Sequence, residues 1–328
     1  MAKNVDGSTN LRPDRNLAME LVRATEAAAI RAMPFIGRGD KNAADGAAVD
    51  AMRQFLSTVN FSGTVVIGEG EKDDAPWLYN GENVGNGTGP ECDVAVDPID
   101  GTSLTAAGRQ NALSVIAVSD RGSMYDPSAV FYMDKLVCGP DGVGIVDIRQ
   151  PIGENIRALA KAKGVGAEDI RVAVLDRPRH EGLIEEIRAA GAGTRLMLDG
   201  DVAGGLNAAR YESRIDLCVG VGGTPEGIIT ACAVKALGGL IQGKLYPRDD
   251  EERQKAIDAG HDLDAILEAN DLVRSDNAYF VATGITQGEF VDGVQRKGPI
   301  IRTDSVVLRS KSGTLRKVRA DYQASRWL

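Results

Sequence analysis

Asp97-Pro98-Ile99-Asp100-Gly101-Thr102 follows a short apolar run, Val94-Ala95-Val96, that reads as a buried strand. Two carboxylates and a hydroxyl therefore leave a sheet together, inside a turn made by Pro98 and Gly101. Oxygen donors grouped at a strand end can hold a hard cation and a water.

Upstream, the same design recurs. Thr64-Val65-Val66-Ile67 is β-branched and apolar, a strand, and it breaks at Gly68-Glu69-Gly70-Glu71, which again delivers acidic oxygens. Before it, Leu17, Leu21, Ala24 and Ala28 form one helical stripe that ends near Pro34 and Gly37. Residues 37–46 read as a polar loop that carries Lys41. A second helix is expected from about Ala47, with Val49, Met52, Phe55, Leu56 and Val59 at helical spacing. Asp45 then falls just before its first turn or at it, as an N-cap, a metal ligand or both. Residues 1–16 have no period and are expected to form a flexible arm.

Downstream, residues 77–90 read as an irregular loop, and Leu113–Val118 and Ala129–Met133 as further strands. Strand follows strand here with no long helix between, which predicts mixed or antiparallel pairing. From Ile152 the pattern alternates. Helices around Ile156 and Leu159, around Ile184 and Ile187, after Asp201 and after Pro225 are interleaved with strands at 172–175, 195–198 and 217–219. That alternation predicts a largely parallel sheet, with ligands beyond the carboxyl ends of its strands. Asp176-Arg177-Pro178-Arg179-His180, Asp199-Gly200-Asp201 and Gly222-Gly223-Thr224-Pro225-Glu226-Gly227 lie at those ends. Residues 249–270 read as charged and helical, and the tail as strands at 278–281, 305–308 and 314–318. The expected organisation is an arm (1–16), a metal-binding α+β half (17–150) and an α/β sugar-phosphate half (151–328), in one compact unit.

Composition narrows the partners. A net charge of -9 over 328 residues argues against general nucleic-acid binding, which needs a basic face. It leaves room for a phosphorylated substrate if a cation reverses the local field. The four cysteines form no C-x-x-C pair and sit among apolar residues, as in a reduced cytoplasmic chain. Two histidines are too few for a histidine-rich zinc site. No apolar run approaches the ~18 residues of a membrane span.

If Asp45, Glu69, Asp97 and Asp100 converge, each like-charged pair at about 4 Å costs about 4 kcal/mol at an effective dielectric near 20. Such a cluster persists only when a cation neutralises it or its pKa values rise. Carboxylates without histidine or cysteine select Mg²⁺ or Mn²⁺. Glu226, behind a glycine pair and a first-turn proline, is either a fifth donor or a partner of the helix dipole. Thr102 can hold a water between a cation and a carboxylate, or simply cap a turn. Arg177 and Arg179 flank a proline, which suits either fixed, bidentate phosphate binding or the surface salt bridges that most arginines make. Asp199 and Asp201 can accept bonds from sugar hydroxyls or cap the following helix. Together these pieces describe a metal-assisted phosphomonoesterase that needs no cysteine or serine nucleophile.

The segments D-P-I-D-G-T and G-E-G-E resemble the signature of the lithium-sensitive, metal-dependent phosphatases, which include inositol monophosphatases and fructose-1,6-bisphosphatases. G-R-G-D-K-N-A-A-D-G-A-A-V, V-V-I-G-E-G-E, D-R-P-R-H, D-G-D-V-A, G-G-T-P-E-G and R-S-D-N resemble one branch, the class II (GlpX-type) bacterial fructose-1,6-bisphosphatases, in order from Leu17 to the tail. The W-D-x-A-A-G segment usual in inositol monophosphatases is replaced by G-G-T-P-E-G, and the tryptophans are Trp77 and Trp327.

The resemblance implies an α/β/α/β/α sandwich and a homodimer or homotetramer. It implies hydrolysis of the 1-phosphate of fructose 1,6-bisphosphate to fructose 6-phosphate and phosphate, a gluconeogenic step. The family's metal ligands (Mn²⁺ or Mg²⁺) fall on Asp45, Glu69, Asp97, Asp100 and Glu226, and its catalytic threonine on Thr102, with Asp45 as partner in activating water. Its substrate contacts fall on Asp100, Gly101, Thr102, Tyr132, Arg177, Pro178, Arg179, Asp199, Gly200, Asp201 and Gly223, with Lys41 as a basic position nearby. Asp100 stands where some members carry Glu, a shorter arm that bears on the choice of cation. The alternatives are cleavage of sedoheptulose 1,7-bisphosphate or inositol monophosphate, or a sugar-phosphate sensor without turnover.

Overall fold

The computed structural model of the chain describes residues 17–70 and 77–327. The expected N-terminal arm and Glu71 lie outside them. Helices α1 (Ala18–Ala32) and α2 (Lys41–Leu56) come first. Strands β1 (Ser62–Ile67), β2 (Asn83–Val84) and β3 (Glu91–Asp100), helix α3 (Thr102–Ala107), and strands β4 (Leu113–Asp120) and β5 (Tyr132–Cys138) follow. Then come α4 (Ile152–Lys163), β6 (Arg171–Leu175), α5 (Glu181–Ala189), β7 (Gly193–Met197), α6 (Val202–Ala209), β8 (Leu217–Gly223), α7 (Thr224–Leu237) and β9 (Leu240–Tyr246). The chain continues through α8 (Asp250–Asp258), β10 (Leu267–Glu268), α9 (Ala269–Leu272), β11 (Tyr279–Gly284), β12 (Gln295–Lys297), β13 (Ile300–Arg309) and β14 (Thr314–Gln323).

The strands form an eight-stranded sheet, β12-β13-β11-β4-β3-β1-β2 with β14 on β13, and a six-stranded sheet, β10-β9-β5-β8-β6-β7. Alternate residues of one strand serve different cores. Val94 and Val96 of β3 and Ile116 and Val118 of β4 pack on α1 and α2, whereas Ala95, Val115 and Ala117 face α6 and α7. Helices α6 and α7 lie between the sheets, and α4 and α5 cover the far face of the second through Ile156, Leu159 and Ile187. The layers therefore run α/β/α/β/α. Strands buried on both faces must be apolar throughout, which is why the sequence shows continuous apolar runs. Among the described residues no helix is long and apolar enough to cross a membrane.

Several local expectations need correction. Helix α2 begins at Lys41, because the Asp40 carboxylate accepts the Ala43 N–H at 3.0 Å as N-cap. Lys41 is thus helical rather than in a loop, and Asp45 sits one turn inside the helix. Pro98 belongs to β3, not to a turn: Asp97 pairs with Val115 and Asp100 with Leu113, so a bulge sits between them. Three residues apart in a regular strand, two side chains point to opposite faces; the extra residue brings Asp97 and Asp100 to the same face. Proline fits there because the bulge frees one backbone group from the ladder. Strand β5 starts at Tyr132, so Ala129 and Val130 precede it. Residues 249–270 are only partly helical, since β10 interrupts them.

The second sheet is mixed rather than largely parallel. Strands β7, β6 and β8 run parallel, but β5, β9 and β10 pair antiparallel. Nor do the sheets follow a division at residue 150: β5 joins the second, and β11 to β14 return to the first.

Candidate active site

The parallel pair β1 and β3 ends at one edge of the first sheet, and the parallel trio β6, β8 and β7 ends at the facing edge of the second. Between these ends lies a cleft of about 590 Å³. Helix α2 supplies Lys41 and Asp45, the loop after β1 supplies Glu69, and β3 with its exit supplies Asp97, Asp100, Gly101 and Thr102. Across the cleft stand Tyr132, Arg177, Arg179, Asp199, Gly200, Asp201, Gly223 and, in the first turn of α7, Glu226. Of the metal, catalytic and substrate positions that the resemblance implies, Pro178 alone is not on the wall; it opens the short 3-10 turn Pro178–His180 that carries Arg179. Tyr132 reaches the site because β5 pairs antiparallel with β8, which sets Tyr132 opposite Gly223.

The acidic side is electrostatically strained. Burial first, and then the charges of Asp100, Glu69, Glu226 and Asp45, push the Asp97 carboxyl far above its usual range. Asp100 is raised likewise by burial and by Asp201, Glu226 and Asp199, with Lys135 opposing. Burial also raises Asp45, and Glu226, where Asp201 adds to the rise. Glu69 goes up to about 8, through burial and the neighbouring Asp45, with which it shares a hydrogen bond. Burying charge without a partner is costly, so without a cation these groups hold protons instead.

Two observations test the fit of a cation. Asp100 Oδ2 is buried with no hydrogen-bond partner, although most buried polar atoms have one. The donor set is carboxylate alone, as hard cations require. Among the described residues no three acidic, histidine or cysteine side chains are gathered tightly enough to hold an ion as they stand. The donor chemistry therefore fits a hard cation.

The opposite wall is held by hydrogen bonds. Arg177 donates to Leu198 O at 2.6 Å and to Asp199 Oδ1 at 3.3 Å. Arg179 donates to Val221 O through Nε at 3.1 Å and Nη2 at 2.8 Å, and its guanidinium lies 5.0 Å from the Tyr132 ring centroid. Asp199 also accepts the Ser103 N–H at 3.3 Å, and Ser103 Oγ accepts from Lys41 Nζ at 2.7 Å. Lys41, α3 and the 199–201 loop are thus linked across the cleft. Gly200 has φ +66°, and a Cβ there would lie 3.1 Å from both Asp100 carboxylate oxygens. Glycine alone suits that backbone and keeps the space beside Asp100 clear.

The family described as bacterial fructose-1,6-bisphosphatase, glpX-encoded, matches residues 15–322. The chain belongs to this family. It is 42% identical over 325 residues to fructose-1,6-bisphosphatase 1 class 2 of Escherichia coli K12, covering 95% of this chain and 96% of that protein. The same figures hold for the class 2 fructose-1,6-bisphosphatases of Escherichia coli O6:H1 and Shigella flexneri. Among solved structures, an extragenic suppressor from Pyrococcus furiosus matches 58% of this chain and 68% of its own at 14% identity and TM-score 0.29, a likeness too slight to argue from.

In this glpX-type chain the structure adds residues that the sequence did not single out. Lys135 of β5 is buried, donates to Asp201 Oδ2 at 2.5 Å and to Gly223 O at 2.9 Å, and is the cation inside the acidic cluster. Its signal was a lone lysine in an otherwise apolar strand, Met133-Asp134-Lys135-Leu136-Val137-Cys138, after an acidic residue that draws the eye to solvent. Ser103 has no sequence signal beyond its place after Thr102. His180 is the third; its packing is described below.

Proposed function

We infer that the chain hydrolyses the 1-phosphate of fructose 1,6-bisphosphate, giving fructose 6-phosphate and phosphate. Family membership supplies the activity. The observation that carries its placement here is that Asp97 feels the charge of Asp45, Glu69, Asp100 and Glu226 together, opposite a wall bearing two fixed arginines.

Mg²⁺ or Mn²⁺, held by Asp45, Glu69, Asp97, Asp100 and Glu226, would polarise the phosphoryl group and lower the pKa of a water beside it. The chain's own residues do the rest. The Thr102 hydroxyl and the Asp45 carboxylate orient that water, and Asp45 accepts its proton. Gly101, left-handed at φ +90°, has no room for a side chain, since a Cβ there would lie 2.9 Å from Leu104 Cδ1, and so lets β3 turn directly into α3, where Thr102 lines the cleft. Arg177 and Arg179 bind the second phosphate with guanidinium forks already immobilised, which limits the rotamer entropy lost on binding. Asp199 and Asp201 accept bonds from the sugar hydroxyls. Lys135 fixes one oxygen of Asp201 and leaves the other for substrate.

On the family resemblance we assign the enzyme to the cytoplasm, to a gluconeogenic role and to a dimer or tetramer of like chains. Its four cysteines are all buried and unpaired, in keeping with a reducing compartment.

The test is phosphate release from fructose 1,6-bisphosphate and from inositol 1-phosphate, with Mg²⁺, with Mn²⁺ and with chelator. The bisphosphate should be preferred by at least about a hundredfold in kcat/KM, the scale of two lost charge-assisted contacts. Faster release from inositol 1-phosphate would overturn the reading. Arg179→Met should raise KM for the bisphosphate about tenfold and alter kcat less, because the lost contact exists in both ground and transition states. Unchanged KM would remove Arg179 from the substrate wall.

A further inference from the structure

His180 is one of the two histidines of the chain and is buried. Its Nδ1 lies 2.8 Å from Leu175 O, at the end of β6. Its Nε2 receives the Val221 N–H at 2.8 Å, from β8. A carbonyl on one side and an N–H on the other leave one arrangement: Nδ1 carries the proton and Nε2 is bare. The packing against β8 is close. Gly220 has φ +110°, and a Cβ there would lie 2.9 Å from Nε2. The imidazole therefore joins the ends of two parallel strands that carry the substrate wall. The Val221 peptide that donates to it is the same residue whose carbonyl accepts both hydrogen bonds from Arg179, which in turn lies over Tyr132.

We propose that His180 is a positioning residue for the Arg179–Tyr132 side of the substrate wall, and that it acts only as the neutral Nδ1–H tautomer. A second proton at Nε2 would set two N–H groups against each other, turn the Gly220–Val221 peptide and, through the Val221 Cα, shift the next peptide, whose carbonyl holds Arg179. The proposal rests on Arg179 contacting substrate, as inferred above.

The charged groups that bear on the ring are Arg179 and Arg177 on its own turn and Asp134 from β5. Burial holds the ring's pKa below its ordinary 6.5; the bond to Leu175 O opposes this, the two arginines reinforce it, and Asp134 opposes it. With the folded value depressed, the neutral form and the geometry it supports persist through neutral pH and past 6.5, and are lost only as pH falls through the lower folded value. Substrate affinity, rather than the chemical step, is what this removes.

The experiment measures KM and kcat for fructose 1,6-bisphosphate from pH 8 down through the titration of the His180 imidazole, located by NMR in the wild-type enzyme, in that enzyme, His180→Gln and His180→Ala, at saturating cation. Substrate phosphate and the carboxylates of the cleft titrate in all three, so the difference between profiles is the readout. The glutamine amide oxygen accepts the Val221 N–H and takes no proton. The wild-type rise in KM at the acid end should exceed that of His180→Gln by about fivefold or more, with kcat ratios alike, while His180→Ala should raise KM about tenfold already at pH 7.5, one lost hydrogen bond to a positioning group. Imidazole NMR of the wild-type enzyme, assigned with His261→Ala, should show the Nδ1–H tautomer. Superimposable KM profiles, or an Nε2–H tautomer, would overturn the proposal even if His180→Ala does not fold. Arg179→Met separates the two failures: if it leaves KM unchanged, the substrate reading of Arg179 is wrong; if it raises KM while the His180→Gln and wild-type profiles coincide, the role of His180 is wrong.

Discussion

Thr102→Ala should lower kcat for fructose 1,6-bisphosphate by about 10²–10⁴-fold and move KM by less than about threefold. Thr102 is the first residue of α3, directly after Gly101 leaves β3 in the left-handed region. It lines the cleft. Alanine is a good helix former, and the hydrogen bonds that shape this turn are made by others: the Thr105 N–H and hydroxyl reach Gly101 O at 3.0 and 3.4 Å. The substitution therefore removes the hydroxyl and leaves the backbone. A group that orients the attacking water acts in the transition state, so its loss falls on kcat and spares binding. Thr102→Ser should recover most of the rate. Near-normal turnover in the alanine variant would mean that Asp45 or another group orients the water unaided. The same variant decides against a sensor without turnover, in which the hydroxyl has no such work.

Stripping divalent cation should abolish turnover and also tilt stability against pH. Glu69 is pushed up from 4.5 to about 8, and Asp97 and Asp100 are raised in the same direction. For a carboxyl with a raised folded pKa, the folded state binds the extra proton. Its stabilising effect is complete below the unfolded value of 4.5 and fades as pH climbs towards 8. The melting temperature of the chelated protein should accordingly fall between pH 5 and pH 8. Mg²⁺ or Mn²⁺ at a hundredfold excess over its Kd should restore about 2.7 kcal/mol, on the order of 5 °C, with the larger gain at pH 8, where cation and proton compete least. Asp97→Asn sharpens the test. It removes the charge that feels all four of the others, so the chelated variant should melt higher than chelated wild type at pH 8, respond weakly to cation and lack activity. A chelated melting temperature that is flat across this range would mean that the carboxylates do not repel one another as placed.

Much of this chain was legible in the sequence because its signals are local. Thr64-Val65-Val66-Ile67 and Val94-Ala95-Val96 are apolar at every position, and strands buried on both faces have to be. Glycine, proline and acidic residues cluster where those strands stop, so the acidic and arginine positions of the cleft could be named from the pattern, while Tyr132 came only with the family resemblance. Other features depend on what lies across the molecule. Asp45 looked like a helix-start residue because Gly46 and the run of alanines blur the periodicity of α2, whose true start is set by the Asp40 cap. The bulge at Pro98, which brings Asp97 and Asp100 to one face, exists only against the partner strand β4. Lys135 gains a role only when β5 is set beside β8 and Asp201.

The sequence by itself determined which oxygens and guanidinium groups the chain carries and that they sit at the ends of strands. Only the tertiary structure decided that they meet. Asp45, Glu69, Asp100 and Glu226 reach Asp97 from α2, the loop after β1, β3 and α7, and each alone would sooner stay apart in water. What brings them together is the burial of apolar faces elsewhere, where α6 and α7 are pressed between two sheets. The folding free energy of that core sustains the crowding of these carboxyls in the cleft.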